Sequence, residues 1–221
     1  MDRPRYIVVE GPIGVGKTSL VNAIAARHRA RTVFEIVEEN PFLSSFYDDR
    51  DKYAFQTQLF FLLSRYRQQQ ELFQPDLLQP VTVSDYLFAK DRIFAQLTLG
   101  SHELALYERI YEALLPKVLQ PDLVVYLQAR HEVLLTRIKK RGREFERQFD
   151  SAYLEQVSRA YNDFFGHYQA SPLLVLNTSE LDYVGNPRDL ERVLEAVEGH
   201  TQGTRHLSLA ASEPVGKPGV A

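Results

Sequence analysis

The segment from Gly11 to Thr18 constrains the fold of this chain more than any other feature, because it matches G-x-x-x-x-G-K-[ST] at every fixed position. The apolar run Tyr6–Val9 precedes it, and residues 17–30 after it have the pattern of a helix. In such a strand–loop–helix unit, backbone amides, a lysine ammonium and the helix N-terminus all face bound phosphates. A nucleoside triphosphate site is therefore expected at Gly11, Pro12, Ile13, Gly14, Val15, Gly16, Lys17 and Thr18.

The composition is typical of a soluble globular domain and argues against several kinds of chemistry. Of 221 residues, 44% are hydrophobic, and the formal net charge is −3, so we expect no overall attraction to nucleic acid. The chain has no cysteine, which excludes disulfides and thiolate chemistry. Because it shows neither a signal-peptide core nor an apolar run of about 20 residues, we expect a cytoplasmic protein without a membrane partner.

Short apolar runs alternate with longer segments of helical period along the rest of the chain. The runs expected to form strands are Tyr6–Val9, Thr32–Val37, Val81–Ser84, Leu123–Leu127 and Leu173–Leu176. Strands that alternate with helices indicate a parallel sheet covered on both faces. We therefore predict an α/β, three-layer P-loop NTPase fold with a five-stranded parallel sheet, whose ligands collect beyond the carboxyl ends of the strands.

The domain boundary is expected where this alternation stops. Residues 1–198 are predicted to form one domain. Residues 199–221 are rich in Gly, Ser, Pro and Ala and have no hydrophobic period, so we expect a disordered C-terminal tail.

Two carboxylates follow predicted strands near the P-loop. Glu35 lies at the end of the second strand and Asp85 directly follows the third. Glu35 is a candidate base for an attacking hydroxyl, and Asp85 is a candidate Mg²⁺ ligand together with Thr18. Each pattern has an ordinary alternative, since acidic loops and strands that end in aspartate are common.

Six cations lie among the eleven residues from Arg137 to Arg147, and Gly142 interrupts them. A flexible, arginine-rich segment suits a lid that closes on a transferring phosphate. A basic helix end is the alternative.

A predicted helix over 53–73 carries an amide among apolar side chains. Gln56 shares one helical face with Leu59, Phe60 and Leu63. An amide on an aromatic face suits the edge of a planar base, whereas the alternative is a core helix that tolerates a glutamine.

Together these motifs resemble the deoxynucleoside kinase family, and more closely its bacterial deoxyguanosine/deoxyadenosine kinase branch. The resemblance extends from residue 5 to residue 197 and includes Gly11–Thr18, Glu35–Leu43, Phe46-Tyr47, Phe55-Gln56, Asp85-Tyr86, Asp91-Arg92 and the segment from Arg137 to Glu146. It implies an enzyme that transfers the γ-phosphate of Mg²⁺·ATP to the 5′-hydroxyl of a deoxynucleoside, and that forms a homodimer.

The resemblance also implies roles for individual residues. The residues implied in catalysis are Glu35 as the general base, with Lys17, Arg137, Arg141 and Arg143 around the phosphates and Asp85 near Mg²⁺. The residues implied in nucleoside binding are Glu35, Tyr47, Phe55, Gln56, Asp85, Tyr86, Asp91 and Glu146. Among these, Gln56 and Asp91 are expected at the base, and Tyr47 and Glu146 at the sugar 3′-hydroxyl.

The pair Asp85-Tyr86 bears on the substrate, because the family's usual motif has an arginine after the acid. Asp-Tyr is similar to the bacterial deoxyguanosine kinases, and a carboxylate such as Asp91 accepts from the two neighbouring donors of guanine. We expect a purine deoxynucleoside, deoxyguanosine first, with deoxyadenosine or deoxyadenosine/deoxycytidine as the alternative. A thymidylate-kinase-like nucleoside monophosphate kinase would need an arginine where Tyr86 stands. A P-loop switch module would need an Asn-Lys-x-Asp motif or a hydrolytic acid pair, which the sequence lacks.

Overall fold

A parallel β-sheet forms the centre of the molecule in the computed structural model, which describes residues 5–37, 39–72, 78–142 and 151–212. The strands in these ranges are β1 (Arg5–Glu10), β2 (Arg31–Val33), β3 (Val81–Ser84), β4 (Leu123–Gln128), β5 (Leu173–Asn177) and β6 (Thr204–Ser208). Their order across the sheet is β2-β3-β1-β4-β5-β6, and every neighbouring pair is parallel.

Helices connect the strands and cover both faces of the sheet. They are α1 (Lys17–His28), α2 (Leu43–Asp48), α3 (Arg50–Leu72), α4 (Lys90–Thr98), α5 (Ser101–Leu114), α6 (His131–Arg141), α7 (Ser151–Gly166) and α8 (Pro187–Glu198). The short helices α2 and α4 were not anticipated from the sequence. Within the described ranges, no helix combines the length and the apolar character that crossing a bilayer requires.

The strands separate two apolar clusters because their side chains alternate between the faces of the sheet. In β1, Tyr6 and Val8 belong to a cluster shared with α3, α4, α5 and α7. Ile7 and Val9 belong to a second cluster, shared mainly with α1, α6 and α8. The predicted three-layer α/β fold is thus confirmed.

The predicted number of strands is wrong, because the described part of the chain forms six. β6 lies in the segment expected to be disordered, and it pairs in parallel with β5 from Thr204 to Ser208. Most of its side chains are exposed, so it lacks the hydrophobic alternation by which strands are recognised, and its backbone pairing holds it at the sheet edge. Residues 213–221, the rest of the predicted tail, lie outside the described residues.

β2 is shorter than expected and ends at Val33 instead of Val37. Its neighbour β3 ends at Ser84, so no strand continues beside the following residues. The amide of Glu35 instead donates to Asp85 Oδ1 at 2.7 Å. The end of β2 therefore depends on Asp85, at the end of β3, which binds the backbone of Glu35.

Candidate active site

Two cavities meet at the P-loop, beyond the carboxyl ends of the strands. The first, here called the α3 cavity, lies between α3, α4 and the segment after β2. The second, the α6 cavity, has a volume of about 550 Å³ and is lined by the P-loop, α6 and residues 181–185. Lys17, Thr18 and Arg141 line both cavities. A molecule bound in one cavity therefore shares these side chains with a molecule bound in the other.

The P-loop requires glycine at Gly16 for conformation and for space. Gly16 has a φ of 106°, and a Cβ atom there would lie 2.1 Å from the hydroxyl of Tyr183. Lys17, the next residue, starts α1 and donates its ammonium to the carbonyl of Gly11 at 2.7 Å. Burial lowers the pKa of Lys17 to about 8. The loop thus holds a desolvated ammonium whose bond to a carbonyl is exchangeable for one to a phosphate oxygen.

The carboxylate of Glu35 is held between two buried cations. Its Oε2 accepts from Lys90 Nζ at 2.7 Å, and its Oε1 accepts from the guanidinium of Arg65. The side chains of both cations are only 4% exposed, and that of Glu35 is 14% exposed. Charge-assisted bonds from two sides fix the orientation of the carboxylate. Although Tyr86 stands where the family's usual motif has an arginine, Lys90 and Arg65 hold the carboxylate of Glu35 from two sides.

Arg65 also joins Glu35 to Asp91. Its second terminal nitrogen donates to Asp91 Oδ1, while Asp91 Oδ2 is buried without a hydrogen-bond partner among the described residues. Asp91 is fully buried, whereas Arg65 lines the α3 cavity. The carboxylate of Asp91 therefore orients Arg65, and Arg65 presents its guanidinium to the cavity.

A further buried carboxylate, Glu10, joins the P-loop to the segment after β3. Its Oε1 accepts from the amide of Gly11 at 2.9 Å and from the hydroxyl of Tyr161 at 3.1 Å. Its Oε2 accepts from the amide of Leu87 at 2.7 Å. These donors compensate the burial of a charge, and the negative charge of Glu10 stabilises the ammonium of Lys17.

Thr18 and Asp85 form an oxygen pair at the junction of the cavities. Thr18 Oγ1 donates to Asp85 Oδ2 at 3.5 Å, and burial raises the pKa of Asp85. A hydroxyl and a carboxylate are oxygen ligands of the kind that Mg²⁺ accepts when substrate phosphates supply the others. This donor set fits the magnesium ion expected from the sequence.

Comparisons with known proteins then decide the family. The family model for deoxynucleoside kinase matches residues 7–202. The chain belongs to the deoxynucleoside kinase family.

Relatives of this kinase match it over nearly their whole length. The deoxyguanosine kinase of Bacillus subtilis (strain 168) is 37% identical over 204 residues, covering 90% of this chain and 98% of the relative. The deoxyadenosine/deoxycytidine kinase of that strain is 30% identical over 199 residues, covering 86% and 90%. A structure of deoxyadenosine kinase from M. mycoides with the products dCMP and a flexible dCDP has a TM-score of 0.75 at 26% identity, covering 87% of this chain and 98% of that one. The prediction of an ATP-dependent deoxynucleoside kinase is confirmed.

The register of α3 differs from the one expected for this kinase. Gln56 is exposed, whereas Gln58 is 3% exposed and lines the α3 cavity. Two positions correspond to a rotation of about 200° around a helix, which exchanges its faces. Phe55, also expected at the nucleoside, packs half-buried against the core, and Phe61 lines the cavity.

Arg137, expected among the arginines around the phosphates, lines the α6 cavity and also binds the backbone around it. Its NH1 donates to the carbonyl of Val15 at 3.1 Å and to Thr178 Oγ1 at 3.2 Å. Its NH2 donates to the carbonyls of Thr178 at 3.0 Å and Leu181 at 3.3 Å. The guanidinium thus ties α6 to the P-loop and to the segment after β5. Arg141, one turn later, lines both cavities, and its contact with a phosphate stays a prediction.

The remaining predicted site residues divide into three groups. Tyr47 lines the α3 cavity, and its contact with the 3′-hydroxyl stays a prediction. Tyr86 is fully buried behind the site, so its ring packs inside the protein instead of facing the nucleoside. Arg143 and Glu146 lie outside the described residues, and their assignments stay predictions.

Sequence reasoning missed several side chains that shape the site. They are Glu10, Gln58, Arg65 and Lys90. A helical face drawn through Gln58 instead of Gln56 would have included Arg65, because the two are seven residues apart. Lys90 had no such signal, since it belongs to the short unanticipated helix α4.

Proposed function

We propose that this kinase transfers the γ-phosphoryl group of ATP to the 5′-hydroxyl of a purine deoxynucleoside, with deoxyguanosine as the preferred substrate. The observation that carries the proposal is the junction of two cavities at Lys17, Thr18 and Arg141. A triphosphate in the α6 cavity would direct its terminal phosphate toward a nucleoside in the α3 cavity. In-line transfer requires this arrangement, in which catalysis comes mainly from positioning and charge neutralisation.

Glu35 is suited to receive the proton of the 5′-hydroxyl, since its carboxylate lines the α3 cavity close to the junction. In the structure its negative charge is balanced by Lys90 and Arg65. When Glu35 takes a proton, it loses that charge, and the ammonium of Lys90 becomes available to the arriving phosphoryl group. Lys90 would thus hold the carboxylate of Glu35 before the transfer and stabilise the negative charge of the phosphoryl group during it.

Thr18 and Asp85 would hold Mg²⁺ at the phosphates. The metal ion would neutralise phosphate oxygens as negative charge develops on the leaving group. Lys17 and Arg141 would bind the oxygens on the remaining sides, at the shared edge of the cavities.

Arg65 and Gln58 support a guanine base in the α3 cavity. Guanine presents two neighbouring acceptors, O6 and N7, to which an arginine donates well, whereas adenine presents N7 beside an N6 donor. Gln58 supplies both a donor and an acceptor. Asp91, expected to contact the nucleobase directly, would act on it through Arg65, because the guanidinium that Asp91 binds lines the cavity.

We extend the proposal to the sugar, the oligomeric state and the compartment. Tyr47, which lines the α3 cavity, would bind the 3′-hydroxyl together with Glu146. A homodimer agrees with Leu63 on α3 and Leu106 on α5, which are 47% and 50% exposed on two helices in contact. Light scattering of the purified protein tests the dimer. A cytoplasmic location completes the proposal, as the substrates would be intracellular metabolites.

A nucleoside panel assayed with ATP tests the proposed reaction. We expect kcat/KM to be highest for deoxyguanosine, with deoxyadenosine second and deoxycytidine and thymidine well below. A maximum for deoxyadenosine would favour the alternative substrate, and phosphorylation of nucleoside monophosphates alone would overturn the proposal.

The same assay tests whether Glu35 is the general base. Glu35→Gln keeps the shape of the side chain but cannot take a proton, so kcat should fall by about 10²- to 10⁴-fold. Glu39→Gln is the matched control, because Glu39 is exposed, and it should leave kcat unchanged. Equal losses in the two variants would show that the base is misassigned.

A further inference from the structure

A chain of hydrogen bonds connects the C-terminal segment to the wall of the α6 cavity through one buried carboxylate. Asp189, near the start of α8, is 1% exposed. Its Oδ1 accepts from the amide of Ser212 at 2.9 Å, and its Oδ2 accepts from the amide of Asp182 at 3.1 Å. A single side chain thus fixes the backbone at both Asp182 and Ser212.

The turn that begins near Asp182 is the part of the cavity wall opposite α6. Residues 181–185 line the α6 cavity. Asp182 closes the turn by accepting from the amide of Gly185 at 2.9 Å, and the hydroxyl of Tyr183 donates to the carbonyl of Gly16 at 3.1 Å. The position of this wall relative to the P-loop therefore depends on Asp182, and through it on Asp189.

Other contacts hold the C-terminal segment in place. Arg192 donates to the carbonyl of Ala210 at 2.8 Å and to Ser212 Oγ at 3.2 Å. Asn186 Nδ2 lies 3.4 Å from the carbonyl of Ser212, to which it donates. The segment from Leu209 to Ser212 lies beyond residue 202, where the match to the family model ends. Only the C-terminal side of this support therefore lies outside the matched family domain, whereas Asp189 and Arg192 lie within it.

We propose that Asp189 and Ser212 are positioning residues for the phosphate donor, so that the C-terminal segment sets the affinity of the α6 cavity for ATP. The inference rests on the proposed function, which puts ATP in that cavity. Without the Ser212 amide, the carboxylate of Asp189 loses one of its two backbone donors. The turn at 181–185, which the other oxygen holds, then becomes less preorganised. ATP binding must then order the turn, which weakens affinity without changing the reacting groups.

Substitution of one backbone donor tests this inference in the full-length chain. Ser212→Pro removes the amide hydrogen that Asp189 accepts, whereas Ser212→Ala keeps it and removes only the hydroxyl. We expect Ser212→Pro to raise KM for ATP by roughly 3- to 10-fold, which corresponds to the net loss of one ordinary intramolecular hydrogen bond. The value of kcat and the KM for deoxyguanosine should stay within about twofold of wild type. Ser212→Ala loses the hydroxyl contact with Arg192 but keeps the amide bond to Asp189, so it should raise KM for ATP by less than Ser212→Pro does.

Direct binding and hydrogen exchange separate this inference from the proposed reaction. Calorimetric titration with ATP gives Kd without catalysis, so a wild type that binds ATP but phosphorylates no deoxynucleoside would refute the reaction alone. Amide exchange in residues 181–185 should be faster in Ser212→Pro than in Ser212→Ala. An unchanged Kd for ATP in Ser212→Pro, or an equal loss of affinity for ATP and deoxyguanosine, would overturn the inference.

A second variant keeps the test decisive if Ser212→Pro does not fold. Asp189→Asn retains the shape of the side chain but replaces one acceptor oxygen by a donor, so it cannot accept from both amides. It should raise Kd for ATP by a factor similar to that of Ser212→Pro. A wild-type Kd in Asp189→Asn would overturn the inference as well.

Discussion

Gln58 is the amide that faces the α3 cavity, and the exposed Gln56 provides an internal control. Gln58→Leu should raise KM for deoxyguanosine about 10- to 100-fold, because a buried hydrogen-bond partner of the base is lost at a cost of about 1–3 kcal/mol. Gln56→Leu should leave KM within about twofold of wild type, since its side chain is exposed. Steady-state kinetics with both variants measure the difference. A loss of the same size in Gln56→Leu would restore the assignment made from the sequence.

Lys90 should impose an alkaline limit on activity. Burial lowers its pKa to about 8, so the ammonium is present below this pH and is lost above it. With ATP saturating, kcat/KM for deoxyguanosine should therefore fall about tenfold per pH unit above about pH 8. In Lys90→Arg the fall should move to higher pH, because a guanidinium stays protonated and the phosphates of saturating ATP keep Lys17, whose pKa is also about 8, charged. Lys139→Arg is the control, because Lys139 is exposed. If kcat/KM falls at the same pH in Lys90→Arg as in wild type, Lys90 is not the cause of the fall.

Helix α6 is fastened at Arg137, and this tether should affect stability more than chemistry. Arg137→Met removes bonds to four acceptors in the P-loop and the segment after β5. We expect the free energy of unfolding to drop by about 2 kcal/mol, as hydrogen bonds to a charged group are lost. Lys139→Met, on the exposed side of the same helix, should leave it unchanged. Urea titration measures both values, and equal stability of the two variants would contradict the tether.

Arg141 lies one turn from Arg137 on α6 and should behave in the opposite way. It lines both cavities, where it would stabilise charge on the transferring phosphoryl group. Arg141→Met should lower kcat by about 10²-fold or more with little change in the free energy of unfolding. A large loss of stability with nearly normal kcat would show that the roles of the two arginines are exchanged.

The molecule as a whole should depend on β6, although the sequence suggested a dispensable tail. A chain ending at residue 203 loses the strand that pairs with β5, together with Leu207 and Leu209, which pack against the second apolar cluster. We expect a lower Tm and a tendency to aggregate, because the edge of β5 would expose unpaired backbone groups. A chain ending at residue 212 keeps these contacts and should melt with the full-length protein. A wild-type Tm for the shorter chain would show that β6 contributes nothing to stability.

The sequence alone determined those features of the site whose residues are close together in the chain. The P-loop is one continuous segment whose glycines, lysine and threonine have fixed spacing, so its conformation and chemistry follow from that spacing alone. The buried parallel strands were equally clear, because a strand covered on both faces is almost entirely apolar. Glu35 and Asp85 were found because both follow strands whose ends lie beside the P-loop.

Tertiary packing decided the rest, because it brings together residues that are far apart in the chain. The rotation of α3 about its axis, and hence the choice of Gln58 over Gln56, depends on which side of the helix packs against the core. Arg65 and Lys90 reach Glu35 from 30 and 55 residues away, so no local spacing reveals that they surround the base. β6 is held mainly by backbone hydrogen bonds to β5, which leave no pattern in its side chains. Local sequence thus specified the phosphate site. The partners of Glu35 and the strand at the edge of the sheet were decided only by tertiary packing.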